Sequence, residues 1–266
     1  MNLLVAFNGT DASEAALRYG AALARDRKAH VTAMLAHSTH DTLDTTSRWI
    51  PREARALLAD AKSGLLTEIE TRLDALRSEL NLGDSLEFRE APGRVDDLLS
   101  SSGRAFDLII VGRPMQDDDA HIRLHPDRIA LMSGRPVIVV PEGYDAEARH
   151  SHAALAWDGG RAAARALSDS LRLLEAQGRV SVLTVGEVTG LEDLKTHLAR
   201  HDVDTVHEAW PADHSIAKSI LAYCRRHAPS MLVMGAYEHS KFREDLLGGV
   251  TAEILRETEI PVLMSH

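Results

Sequence analysis

"HAALAWDGGRAAARALSDSLRLL", His152 to Leu174, passes from a short apolar run through a glycine turn into an Ala/Leu-rich helical pattern, and the chain contains that order twice. "LLVAFNGTDASEAALRYGAALA", Leu3 to Ala24, is the other copy, with Ala6-Phe7-Asn8-Gly9 matching Ala156-Trp157-Asp158-Gly159. A second match lies late in each half, where "FDLIIVGR" and "GRPVIVVP" correspond to "PSMLVMGAY" and "EIPVLMSH". Two windows recurring in the same order indicate a duplication. The polar stretch "GYDAEARHS", Gly143 to Ser151, reads as the linker, which gives an N-terminal unit 1–143 and a C-terminal unit 151–266.

Each half alternates strand and helix. Expected strands are Leu3 to Phe7, His30 to Ala36, Ser85 to Glu90, Leu108 to Val111 and Val137 to Val140, then Ala153 to Trp157, Val180 to Val185, Thr205 to Ala209, Met231 to Met234 and Val262 to Met264. The longest helical stretch, "PREARALLADAKSGLLTEIETRLDALRSEL", repeats Leu58, Ala61, Leu65, Ile69, Leu73, Leu76 and Leu80 at three- and four-residue spacing, an apolar stripe that must lie on a sheet or helix. Runs such as "LIIV" and "VIVV" are apolar on both faces, as strands of a parallel sheet covered on each side are. The fold class is therefore α/β, two tandem doubly wound units.

A net charge of -10, with no local run of Lys/Arg, argues against nucleic acid or an anionic membrane surface as partner. No apolar stretch approaches the roughly 20 residues that span a bilayer, and "MNLLVAF" meets "NGTD" with no basic region before it, so a cytoplasmic location is expected. Cys224, the one cysteine, falls four residues after Ile220 on an apolar helix face and reads as a buried structural thiol. Among fourteen histidines the closest pairs, His37 with His40 and His150 with His152, lack the further ligands of a zinc site. The loop "NGTDAS" offers Thr10 or Asp11 as an N-cap with Glu14 in the first turn.

In sheets of this class ligands sit beyond the carboxyl ends of the strands, so the loops to read are those leaving the first and fourth strands of each half. In the C-terminal half these are "WDGGRA" and "GAYEHSKFREDLLGGVT". A duplicated α/β unit with "DGG" after its first strand and "MGAYEHSKFREDLLGGVTAEIL" followed by "EIPVLM" at its end resembles a tandem universal stress protein, over nearly the whole chain and most strongly over Met231 to Met264. The resemblance implies a five-stranded parallel sheet of order 3-2-1-4-5 in each unit, ATP or AMP binding in many members, Mg²⁺ with ATP, and pairing through the fifth strands. In a tandem chain that pairing becomes an intramolecular pseudo-dimer, and further homodimerisation is compatible with it.

The family's nucleotide motif is G-x2-G-x9-G-[ST] after strand four, with an Asp at the end of strand one contacting adenine. Carried onto this chain, the resemblance offers Asp158 for the base and Gly235 and Gly248 as the first and third glycines, with Gly159, Val185, His239, Gly249, Val250 and Thr251 around them. Two positions depart: Glu238 stands in place of the second glycine, and Gly249 in place of the hydroxyl residue. A carboxylate about 4 Å from a phosphate charge costs roughly 4 kcal/mol at an effective dielectric near 20. Lys241 and Arg243 could offset it, and Gly249 still provides an unhindered amide. The N-terminal half departs further: Asn8 replaces the Asp, and after Gly112 come Asp117-Asp118-Asp119 with no glycine until Gly134.

No G-x-G-x-x-G, G-x-x-x-x-G-K-[ST], G-x-S-x-G or H-E-x-x-H occurs where its chemistry would require it, so nothing names a reaction. The expected function is a stress-response module, sensing an adenine nucleotide in the C-terminal unit, with the N-terminal unit a degenerate copy and the protein partner unknown. The alternative is a protein-interaction scaffold that binds no nucleotide. Weak ATP hydrolysis ranks third, since no general base or Mg²⁺ ligand can be assigned.

Overall fold

A computed structural model describes residues 1–37, 52–114, 123–148, 150, 152–236 and 249–266. The N-terminal unit contains β1 (Asn2–Ala6), α1 (Asp11–Arg27), β2 (His30–His37), α2 (Arg52–Glu79), β3 (Leu86–Pro92), α3 (Val95–Gly103), β4 (Leu108–Gly112), α4 (Pro126–Ser133) and β5 (Val137–Val140). The C-terminal unit contains β6 (Ala153–Ala156), α5 (Arg161–Gln177), β7 (Arg179–Val185), α6 (Leu191–Ala199), β8 (Asp204–Trp210), α7 (Ile216–His227), β9 (Leu232–Gly235), α8 (Gly249–Glu257) and β10 (Val262–Ser265).

The ten strands of the described residues join one sheet, in the order β3-β2-β1-β4-β5-β10-β9-β6-β7-β8. Each unit thus has the order 3-2-1-4-5, parallel within itself. The seam between units is antiparallel and short, pairing Val262 with Val139, Leu263 with Ile138 and Met264 with Val137. It covers an edge of each five-stranded sheet that would otherwise present unpaired backbone. Because the pairing is antiparallel, the carboxyl ends of the strands point in opposite directions in the two units.

Strand residues alternate between two cores. Leu3, Val5, Leu108, Ile110 and Ile138 face α1, α2, α5 and α6, while Leu4, Ile109, Val111, Val137 and Val139 face α3, α4, α7 and α8. The apolar stripe of α2 buries Ile69, Leu73, Leu76 and Leu80 in the first of these; the side chains of Leu58, Ala61 and Leu65 lie outside the described residues. Thr10 is the N-cap of α1, accepting from the Ser13 amide at 3.2 Å.

Strand boundaries differ from expectation where hydrogen bonding outlasts the apolar pattern. Ser85 belongs to a 3₁₀ turn, and β3 runs on to Pro92, whose missing N–H costs nothing in an edge strand. β8 likewise extends to Asp204 and Trp210 through its ladder with β7.

Candidate functional site

At the carboxyl end of the C-terminal sheet, β6 and β9 are neighbours whose following helices lie on opposite faces of the sheet, the topological switch point where such folds bind ligands. Trp157 continues the β6 backbone, its amide donating to Leu183 O at 2.9 Å, and Asp158 follows. An Asp158 carboxylate oxygen accepts from the Gly160 amide at 2.8 Å, an Asx turn that leads into α5. Gly159, at φ +76°, turns beneath Thr189. Val185 ends β7 opposite Trp210.

Gly235 ends β9 with a steric reason for being glycine. A Cβ there would lie 2.6 Å from the Ala163 amide nitrogen and 2.7 Å from the Ala162 carbonyl carbon, so its absence lets the first turn of α5 seat directly on the strand end. Gly112 does the same in the N-terminal unit, where a Cβ would meet the Ala12 backbone at 2.4 Å. Gly249 is the opposite case: no described residue lies within 4 Å of the position its Cβ would take, so none of them requires glycine at the start of α8. Val250 is half-buried and Thr251 buried in that first turn. Of the sequence-derived site, His239 and Gly248 lie outside the described residues, as do Glu238, Lys241 and Arg243; the structure brings Asp158, Gly159, Val185 and Gly235 to one sheet end.

The two units treat their helix starts differently. In the N-terminal unit α1 has the Thr10 cap and two acids, Asp11 and Glu14, in its first turn. Arg72 of α2 ties this turn down, donating to Gly9 O at 2.6 Å and pairing with Asp11 and Glu14, while Ile69 packs on Gly9. The start of α4 receives a buried carboxylate from another helix: Asp96, second residue of α3, accepts from the His125 amide and from His125 Nδ1, both at 2.9 Å, with Arg128 at 3.4 Å. The C-terminal counterparts lack these acids. The N-cap of α5 is Gly160 with no acid in its first turn, and the second residue of α7, matching Asp96, is Ala217. Among the described residues no side chain hydrogen-bonds the amides of Gly249, Val250 or Thr251, and the first turn of α8 has no acidic residue. Sequence reading missed Asp96; the signal was a carboxylate in one copy against alanine in the other.

The histidine pairs do not converge. His150 Nδ1 donates to Ala228 O at 2.8 Å, and His152 Nε2 meets the Tyr223 hydroxyl at 3.1 Å. His37 Nε2 faces Glu90 at 2.8 Å, and His40 lies outside the described residues. Among the described residues no group of three metal-ligating side chains forms. Cys224 is buried, and burial pushes its thiol up to about 12. No helix among the described residues is long and apolar enough to cross a membrane.

A cavity of about 270 Å³ lies elsewhere, lined by Tyr144, His150, Cys224, Arg225, Thr258 and Ile260 among others. Tyr144 and His150 precede β6, Cys224 and Arg225 end α7, and Thr258 and Ile260 precede β10, so the cavity is at the amino ends of the C-terminal strands, away from Asp158 and Gly249.

Residues 187–266 match the model of the universal stress protein family. A universal stress protein of Synechocystis sp., Slr1230, is 24% identical over 189 residues, an alignment taking in 68% of this chain and 65% of that protein, just under two thirds of the relative's length. A universal stress protein from Archaeoglobus fulgidus superposes with a TM-score of 0.73 at 12% identity, covering 99% of this chain and 95% of that one. A putative universal stress protein from Pseudomonas aeruginosa gives 0.55 at 14% identity, covering 99% and 92%. At such identities the solved structures establish the fold. The chain is therefore similar to the universal stress protein family over residues 187–266, and its two halves share the fold of those solved proteins.

Proposed function

We propose that the C-terminal unit, residues 151–266, is an adenine-nucleotide sensor for ATP or AMP, and that the N-terminal unit, residues 1–143, binds no nucleotide. The observation that carries this reading is the exchange of Asp96 for Ala217 between matching helices. Backbone amides at a helix start favour an anion. The N-terminal unit supplies one from its own chain at α4, and in the C-terminal unit no described residue does so at the start of α8, which suits an outside anion such as a phosphate. Gly249 supports the reading, because no described residue crowds it and its missing side chain permits close approach of a ligand to the backbone. In this site Asp158 takes the base, with Gly159 and Val185 at the neighbouring strand ends; Gly249, Val250 and Thr251 meet the phosphates, and Mg²⁺ accompanies ATP.

Isothermal titration calorimetry of the nucleotide-stripped chain with ATP, AMP and adenosine, with and without Mg²⁺, tests it. One site per chain with a preference for the phosphorylated ligands is expected. Absence of heat at millimolar ligand, together with no thermal stabilisation, overturns it. The second reading, a scaffold that binds no nucleotide, has Glu238 in its favour, since a carboxylate in a phosphate loop is repulsive.

A further inference from the structure

Arg113 leaves the N-terminal sheet immediately after Gly112 and crosses the seam. Its backbone amide donates to Val140 O at 2.8 Å, which fixes its base beside β5. Its guanidinium donates from Nη1 to Arg256 O and from Nη2 to Thr258 O, each at 2.7 Å. Those carbonyls belong to the last turn of α8 and the residue just beyond it, where helical hydrogen bonding has run out of donors. Burial pushes the Arg113 guanidinium down from its ordinary range, against the carboxylates of Glu142 and Glu259. The arrangement has no twin of equal strength. The matching residue after Gly235 is Ala236, fully buried and without a polar side chain, and the C-terminal end of α4 is met by Arg104 of its own unit, Nη2 to Met132 O at 3.2 Å, and across the seam by a long 3.5 Å contact from Arg165 to Gly134 O.

We infer that Arg113 is a positioning residue for the C-terminal site: by holding the carboxyl end of α8 it sets the direction of the helix whose first turn meets the ligand's phosphates. This rests on the nucleotide reading above and adds what the N-terminal unit does for it. The mechanism is leverage. A helix of nine residues is about 13 Å long at 1.5 Å per residue, so a tilt of about 10° at one end carries the other by about 2 Å. A displacement of that size removes a hydrogen bond between an amide and a phosphate oxygen. The seam itself pairs only three residues on each strand, and the two charge-assisted hydrogen bonds across it hold the end of α8 that its buried Thr251 and Ile254 do not reach.

The full chain carrying Arg113→Gln is compared with wild type and with Arg113→Lys, which keeps a cation able to reach one carbonyl. Hydrogen exchange, read without ligand, is expected to quicken about tenfold in R113Q at the amides from 254 to 260 and nowhere outside the seam. Calorimetry is expected to show ATP and AMP affinity falling about tenfold in R113Q, adenosine affinity unchanged, and R113K recovering part of the loss. Unchanged exchange in R113Q overturns the clamp. Equal losses for adenosine and ATP overturn the positioning role, since general destabilisation does not distinguish a phosphate. If wild type binds none of the three ligands the nucleotide reading fails, and the exchange arm still decides the clamp. Should R113Q not fold, R113K is read by the same measurements.

Discussion

The carboxylate of Asp96 sits 2.9 Å from the backbone amide of His125, so one helix of the N-terminal unit closes the start of the next with its own negative charge. Asp96 is buried and also meets His125 Nδ1 and Arg128. Removing it as Asp96→Ala strands those donors and is expected to cost about 1–3 kcal/mol, with Asp96→Asn costing less because it still accepts from the amide. Urea unfolding of the two variants measures the difference.

The reverse exchange tests the C-terminal site. Ala217→Asp brings a carboxylate toward the start of α8, where it competes with a bound phosphate as Asp96 does at α4. ATP affinity is expected to fall at least about tenfold, roughly 1.4 kcal/mol, while circular dichroism stays unchanged. A variant that folds and binds ATP as well as wild type removes α8 from the phosphate site.

The two glycines of the C-terminal loop separate packing from ligand approach. Gly235→Ala forces α5 away from β9 and is expected to destabilise by about 1–3 kcal/mol whether or not nucleotide is present. Gly249→Ala meets no described residue within 4 Å and is expected to leave stability within about 0.5 kcal/mol while weakening ATP. Chemical denaturation and calorimetry on the pair give both numbers, and a G249A variant that loses stability contradicts the assignment.

His152 predicts a pH dependence. Burial, then nearby Arg179, His227 and His150, hold its pKa below the ordinary histidine value of about 6.5. The Tyr223 hydroxyl donates to Ser181 Oγ at 2.7 Å, so it accepts from His152 Nε2–H. Because the folded pKa is depressed, the unfolded chain binds the proton first; stability is whole above about pH 6.5 and falls as pH drops below it. The His152→Gln variant is expected to show a shallower loss between pH 7 and 5 in urea titrations; an unchanged slope assigns the loss to other groups.

Cys224 should be inert in the folded chain, because its thiol is buried and raised to about 12. Iodoacetamide at pH 8 is expected to label it at least about a hundredfold faster in urea than in buffer. Ready labelling of the native chain contradicts the packing of α7 described above.

The covered parallel sheets and the tandem arrangement were legible because apolar runs such as Leu108 to Val111 leave no alternation, and because two turns repeat around Asn8 and Asp158. Strand order and the seam between fifth strands came from the family resemblance, not from composition or spacing. Other features depend on contacts distant in sequence. Gly235 reads as a phosphate glycine until α5 is seen to occupy its Cβ position. Arg113 reads as an irregular residue after a strand until the antiparallel register puts Arg256 and Thr258 beside it. Asp96 was visible in principle: the halves differ there, carboxylate against alanine, and comparing them residue by residue exposes it.

The covalent fusion of the halves has an evolutionary consequence. In a homodimer closed by two equivalent strands, every substitution appears at both ends of the dyad, so an arginine gained on one side is gained on the other. Joining the copies in one chain releases each from its mirror. Arg113 can then diverge from Ala236, and Asp96 from Ala217, letting one copy specialise as support while the other keeps its surface for a guest.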